Sequence, residues 1–282
     1  MFVNHPPKSE YIPLIMQGLQ EDIGRGDLTS NIFVADNKQA SYQITVREEL
    51  VLCGGIIAQQ TFLQYDDNIE TKLLQHDGAK LQAGDIIMQI SGNARALLAA
   101  ERTALNFLQY LSGIASFTAK CVTELEGTKT QLLDTRKTLP AYRALAKYAV
   151  RCGGGRNHRL RLDDGVMLKD NHIAIAGGLI EAVKIAKIQT PALTKIEIEC
   201  DNLAQVELAL QAGADVIMLD NMDLAMVQQA VGIVAGKVPL EVSGGVGLHN
   251  LRQYALAGVQ FISMGALTHS VKAVDIGMDF VE

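Results

Sequence analysis

The chain has 282 residues, 48% of them hydrophobic and 20% charged, with a formal net charge of −6. That is enough for one large domain or two smaller ones around a sizeable core, with the composition of an ordinary globular protein. The acidic balance argues against a general nucleic-acid binder, whose affinity rests on cations neutralising phosphates, and no apolar run approaches the roughly 18–20 residues of a membrane span.

Residues 1–11 lack the basic patch and following apolar stretch of an export signal, so a cytoplasmic protein is expected. Cys53, Cys121, Cys152 and Cys200 are widely spaced and form no Cys-x-x-Cys pair, which fits reduced core thiols. β-rich stretches at 40–46, 69–76 and 85–91 are broken by Gly54, Gly55, Gly78, Gly84 and Gly92, giving a small mixed α/β unit over the first third. From 94 to about 111 the pattern is helical, with Leu97, Leu98, Leu105, Leu108 and Leu111 on one side. Glu101 falls inside that stripe and Arg102 on its edge, either as a structural ion pair or reaching into a site.

Beyond Gly113 short β-type runs alternate with helix-like stretches: 131–134, 166–169, 196–200, 216–220, 240–243 and 261–264. Glu199, Asp220, Ser243 and Gly265 follow one another at intervals of 21, 23 and 22 residues, the length of one strand plus one helix. Gly213 and Gly258 are placed to end helices before the next strand. Such units build either an open doubly wound sheet or a closed barrel. Polar residues at every strand end favour the barrel, whose strand C-termini share one mouth, and the segment is too short for the about 250 residues of the eightfold form.

Three groups of residues carry chemistry. The strand at 240–243 runs into the glycine-rich turn at 244–247, and 261–266 repeats the arrangement, so exposed amides and helix starts offer a phosphate cradle. Glu199 and Asp220 end neighbouring strands, where hard oxygen ligands suit Mg²⁺ shared with substrate phosphates; balancing nearby cations is the alternative. Glu197 points the same way as Glu199, either as a further site residue or as the pair of a lysine. Between Arg136 and Lys169 lie nine of the 25 Lys and Arg residues, against only Asp163 and Asp164. A solvated basic face accounts for Arg143, Lys147 and Arg151, but Arg136, Lys137 and Lys169 end strands and imply a substrate with several negative charges. His158 and His172 are weaker ligand candidates.

In order and spacing, DTRKT at 134–138, GGGRNHR at 153–159, LKDNH at 168–172, LDN at 219–221 and EVSGG at 241–245 resemble the quinolinate phosphoribosyltransferases, and EDIGRGD at 21–27 and AERTALNF at 100–107 resemble that family's N-terminal motifs. The resemblance implies an α/β protein with an N-terminal α/β sandwich over 1–112, completed by 270–282, and an incomplete α/β barrel over 113–269. It implies conversion of quinolinate and phosphoribosyl pyrophosphate to nicotinate mononucleotide, carbon dioxide and pyrophosphate for NAD synthesis, in a homodimer with shared sites. On that likeness Arg102 of the partner subunit, with Arg136, His158, Arg159 and Lys169, holds quinolinate, and Lys137 lies between the two substrates. Glu199 and Asp220 hold Mg²⁺ and the ribose hydroxyls, while Ser243, Gly244, Gly245, Gly265 and His269 cradle the 5′-phosphate. Arg161 departs from the pattern, standing where glycine or a small acidic residue is expected. A molybdenum-transport relative of the same fold with another anionic acceptor, a Schiff-base lyase using Lys169, and a non-catalytic phosphate sensor are the alternatives.

Overall fold

The computed structural model describes residues 4–281; residues 1–3, part of the segment read as lacking an export signal, lie outside the described residues. The chain begins α1 (Lys8–Ile23), α2 (Leu28–Phe33), β1 (Gln39–Val46), β2 (Leu50–Val51), α3 (Gly55–Tyr65), β3 (Glu70–Leu73), β4 (Lys80–Leu81), β5 (Ile86–Asn93) and α4 (Ala94–Glu124). It continues β6 (Gln131–Leu133), α5 (Arg143–Cys152), β7 (Val166–Leu168), α6 (Asp170–Ile175), α7 (Leu179–Gln189), β8 (Ile196–Cys200), α8 (Leu203–Ala212) and β9 (Val216–Asp220). Then come α9 (Leu224–Val234), β10 (Leu240–Ser243), α10 (Leu251–Leu256), β11 (Phe261–Ser263), α11 (Ala266–His269) and β12 (Ile276–Phe280). Contacts divide the chain into Met1–Ala119 with Leu139–Gly154 and Ser270–Glu282, and Lys120–Thr138 with Gly155–His269.

In the first unit β12, β1, β5 and β3 form an antiparallel sheet in that order, so the C-terminal strand closes one edge, pairing Tyr42 with Phe280 and Val46 with Ile276. Alternation along β1 and β5 buries Ile44, Val46, Met88 and Ile90. Leu97, Leu105, Leu108 and Leu111 of α4 are buried as the wheel predicts, with Leu98 half-buried at its edge. The expected end of this helix near 111 is corrected: α4 is one helix of 31 residues running through Gly113. A β-carbon on Gly113 would lie 2.4 Å from the Lys272 carbonyl oxygen, so that glycine serves close packing rather than a break. The solvated face expected for α5 is also corrected, because Lys147 is fully buried among Leu145, Ala146, Tyr148 and Val150.

In the second unit six parallel strands follow the order β6-β11-β10-β9-β8-β7. The first strand therefore lies beside the last, and Arg156 bridges to Leu133 on the free side of β6. This is a barrel ring left open between that segment and β7, with every strand C-terminus at one mouth. The helices pack in succession outside, α7 on α8 and α8 on α9. Gly213 closes α8 in the left-handed conformation at φ 78°, and Asn202 and Asp223 cap α8 and α9 with side-chain acceptors.

Candidate active site

The mouth of the barrel holds one pocket of about 540 Å³. Arg136, Lys137, His158, Arg159, Lys169, Glu199, Asp220, Ser243, Gly244, Gly245, Gly265 and His269 all line it. Arg102, exposed on α4, does not.

The cationic side is built by two loops. Buried Asp134, just past β6, accepts from the His158 amide at 2.9 Å and the Asn157 side chain at 2.6 Å, pinning the 156–159 segment beside the 135–138 turn. The Arg136 Nε is buried and has no hydrogen-bond partner, a donor that awaits an acceptor in the pocket. Arg159 donates to the Gly165 carbonyl at 2.9 Å, and burial together with the Arg136 charge pulls its guanidinium below the usual range. Lys169 is ion-paired with Glu199. The His172 Nδ1 accepts from the Lys169 amide at 3.1 Å, so His172 is a helix cap of α6 and lines no part of the pocket.

The phosphate side follows from backbone conformation. Gly244 and Gly245 take φ 84° and 63°, and the amides of Gly244, Gly245 and Val246 donate to no group among the described residues. Three successive free N–H groups in such a turn suit an anion. Asn250 holds the turn by accepting from Gly247 N at 2.8 Å and donating to Gly245 O at 3.1 Å. At the next strand end, a β-carbon on Gly265 would stand 3.0 Å from both Lys137 Cδ and the His269 ring, so glycine there lets both side chains approach. Thr268 donates to the Lys137 carbonyl at 2.7 Å and fixes the Lys137 turn.

Asp220 and Glu199 end the adjacent strands β9 and β8. Asp220 accepts from the Asn221 side chain at 2.7 Å. Glu197 is paired with His158 rather than a lysine: His158 Nε2 lies 3.0 Å from Glu197 and 3.5 Å from Glu241. The other ring nitrogen accepts the Arg159 amide at 2.7 Å, so both nitrogens of His158 are engaged within the protein. Burial pulls that ring down, but hydrogen bonds and charge from the two carboxyls outweigh it and push His158 up to about 10.

Sequence reasoning passed over Glu241 and three methionines, Met167, Met218 and Met264, which also line the pocket. Period-2 alternation back from Ser243 is the signal that turns Glu241 inward. The methionines give an otherwise charged pocket a polarizable apolar wall suited to a flat ring.

Free amides at one side of a barrel mouth and a buried unpartnered guanidinium nitrogen at the other select a ligand carrying anions at both ends. Fold and site together define a barrel enzyme acting on phosphorylated and carboxylated substrates. Residues 27–112 match the family model of the quinolinate phosphoribosyl transferase N-terminal domain, and 114–279 that of its C-terminal domain; the chain belongs to this family. A probable nicotinate-nucleotide pyrophosphorylase (carboxylating) of Bacillus subtilis is 44% identical over 260 residues, covering 92% of this chain and 89% of its own. The Mycobacterium leprae nicotinate-nucleotide pyrophosphorylase (carboxylating) is 41% identical, covering 94% and 95%. The solved nicotinate-nucleotide pyrophosphorylase of Francisella tularensis superposes with a TM-score of 0.94 at 41% identity, covering 100% of this chain and 99% of that one. The chain is thus a phosphoribosyltransferase of the pentosyltransferase class.

Proposed function

We propose that the pocket joins quinolinate to the phosphoribosyl group of phosphoribosyl pyrophosphate, yielding nicotinate mononucleotide, carbon dioxide and pyrophosphate for NAD synthesis. The observation that carries this reading is the pairing of the buried, unpartnered Arg136 Nε with the free amides of 244–246 in one pocket. Arg136, Arg159 and Lys169 hold the two carboxylates, His158 braces Arg159 and closes the pocket wall, and Lys137 stands between the substrates. Ser243, Gly244, Gly245, Gly265 and His269 receive the 5′-phosphate.

Glu199 and Asp220 face the ribose hydroxyls and are the residues that would hold Mg²⁺. Two carboxylates on neighbouring strands are too few for a closed cage but fit an ion shared with substrate oxygens. Bound Mg²⁺ supplies charge neutralisation for the departing pyrophosphate. Because Glu199 is paired with Lys169, recruiting Glu199 to the donor releases Lys169 to the acceptor. As pyrophosphate leaves, the anomeric carbon gains positive character that the two carboxylates stabilise, and the pyridine nitrogen bonds there. The quaternised nitrogen then stabilises the electron pair left when the 2-carboxyl departs.

The functional unit is a homodimer in which Arg102 of the partner subunit completes the quinolinate site. The exposure of Arg102 and of the apolar Leu28, Ile32 and Phe33 on α2 supports this. Four buried free thiols accord with a reducing cytoplasm. No helix among the described residues is long and apolar enough to cross a membrane. A Schiff-base lyase is disfavoured by the Lys169–Glu199 ion pair, since that chemistry needs an unprotonated amine.

The test is release of pyrophosphate and carbon dioxide from quinolinate, phosphoribosyl pyrophosphate and Mg²⁺. Equal yields, lost in Lys137→Ala, on chelating Mg²⁺, and with nicotinate in place of quinolinate, are expected. Turnover with nicotinate, or none with quinolinate, overturns the assigned acceptor and turns attention to the exposed Arg161.

A further inference from the structure

The ring carbon that loses carbon dioxide must take up a proton. A lysine or arginine that gave one up would forfeit the charge by which it holds a carboxylate. In the barrel interior lies another polar cluster, His158 with Glu197 and Glu241, the two carboxyls being only 8% and 1% exposed. His158 presents only Nε2 to these two carboxyls, its Nδ1 being turned to the Arg159 amide. A single N–H cannot satisfy two buried carboxylates, and the Oε1 atoms of both Glu197 and Glu241 are buried without a hydrogen-bond partner. Two adjacent ionised carboxylates in that setting are strongly disfavoured, so the cluster keeps a second proton on a carboxyl. Burial pushes the Glu241 carboxyl up, against the opposing His158 and Ser263.

Of the two carboxyls, Glu241 lines the substrate pocket, as does Ser263. Glu241 also borders a separate cavity of about 240 Å³, together with His158, Glu197, Lys195, Val216 and Phe261. Val216 and Phe261 begin β9 and β11 and Lys195 precedes β8, so this cavity opens at the opposite end of the strands. The cluster stands between the two spaces.

We propose that Glu241 is the proton donor of the decarboxylation step, kept in its acid form by the buried cluster and re-protonated through the cavity at the far end of the barrel. This rests on the reaction proposed above. The bond from ring carbon 2 to its carboxyl breaks with the electron pair staying on the ring carbon, and carbon dioxide departs. Carbon 2 takes the proton of the Glu241 carboxyl, leaving a carboxylate that regains a proton from water in the far cavity. Without a donor at hand, carbon dioxide recombines with the electron pair, which slows its net loss while leaving ribosyl transfer untouched.

Glu241→Gln keeps the shape and removes the transferable proton. In a single turnover we expect pyrophosphate release at the wild-type rate and carbon dioxide release slowed about 100-fold, with the ribosylated diacid accumulating. Pyrophosphate and carbon dioxide slowing together would show a structural role and overturn the proposal, as would carbon dioxide release at the wild-type rate. Val216→Phe, which fills the far cavity, should leave the first turnover intact and slow later ones; an unchanged steady rate would overturn the re-protonation route. If the wild-type protein releases no pyrophosphate, the parent reaction fails rather than the donor.

Discussion

Gly244 combines a left-handed backbone, φ 84°, with a neighbour that leaves no room: a β-carbon would lie 2.2 Å from Asn221 Oδ1. Gly244→Ala is expected to cost about 1–3 kcal/mol of stability and to raise KM for phosphoribosyl pyrophosphate far more than KM for quinolinate, read by melting and steady-state kinetics. Arg136→Lys removes the buried Nε donor and the planar fork, so KM for quinolinate should rise about 10- to 100-fold with the phosphoribosyl donor little affected. The cluster around His158 makes stability depend on pH. With its value raised from 6.5 to about 10, the folded protein keeps a proton that the unfolded chain has lost. That contribution is complete below 6.5 and disappears as pH rises towards about 10. Glu197→Gln should flatten the decline in Tm across that window. The cations and glycines of these predictions were visible as strand-end residues, whereas Glu241 was not, because its neighbour Ser243 carries the same inward phase and the more familiar chemistry.

Among the elements, α5 shows how packing overrides a local pattern. Its Tyr148 donates to Asp77 at 2.7 Å and lies 2.8 Å from the His5 Nδ1, while Asp77 also accepts from the amides of Gly54 and Gly55 at the start of α3. Tyr148→Phe leaves the half-buried Asp77 carboxylate short of a donor and should destabilise the protein by about 1–3 kcal/mol in denaturant unfolding, with KM values unchanged. Asp77 also lies with Cys53 and Cys152, residues distant in sequence. Its oxygens are already engaged by two amides and a hydroxyl, and burial pushes the Cys53 thiol up, so these groups form a hydrogen-bonded junction. The β-runs were legible from alternation and the regular spacing of polar strand ends. The length of α4 was not, since a glycine that admits a neighbouring backbone and a glycine that ends a helix look alike in sequence. Lys147 misled for a similar reason: helical spacing of cations describes a face but does not say what covers it.

For the molecule as a whole, β12 joins the chain end to β1 through five register pairs. Truncation after His269 strips that edge from the first unit's sheet and should abolish soluble expression, checked by yield and circular dichroism. The proposed dimer has its own test. Mixing inactive Arg102→Ala and Lys137→Ala subunits should restore about a quarter of wild-type activity, because half of randomly paired dimers then own one intact site. No recovery would place Arg102 outside a shared site. Alternating strand and helix units, an anionic ligand and membership of a family were all readable from the amino-acid order, because periodicity and motif chemistry are properties of neighbouring residues. Closure of the strand ring by β6 against β11, the sequestration of Glu197 and Glu241 around one imidazole, and the burial of Lys147 were decided only by folding. Each depends on which distant residues exclude water from a group, and that is set by packing rather than by its place in the chain.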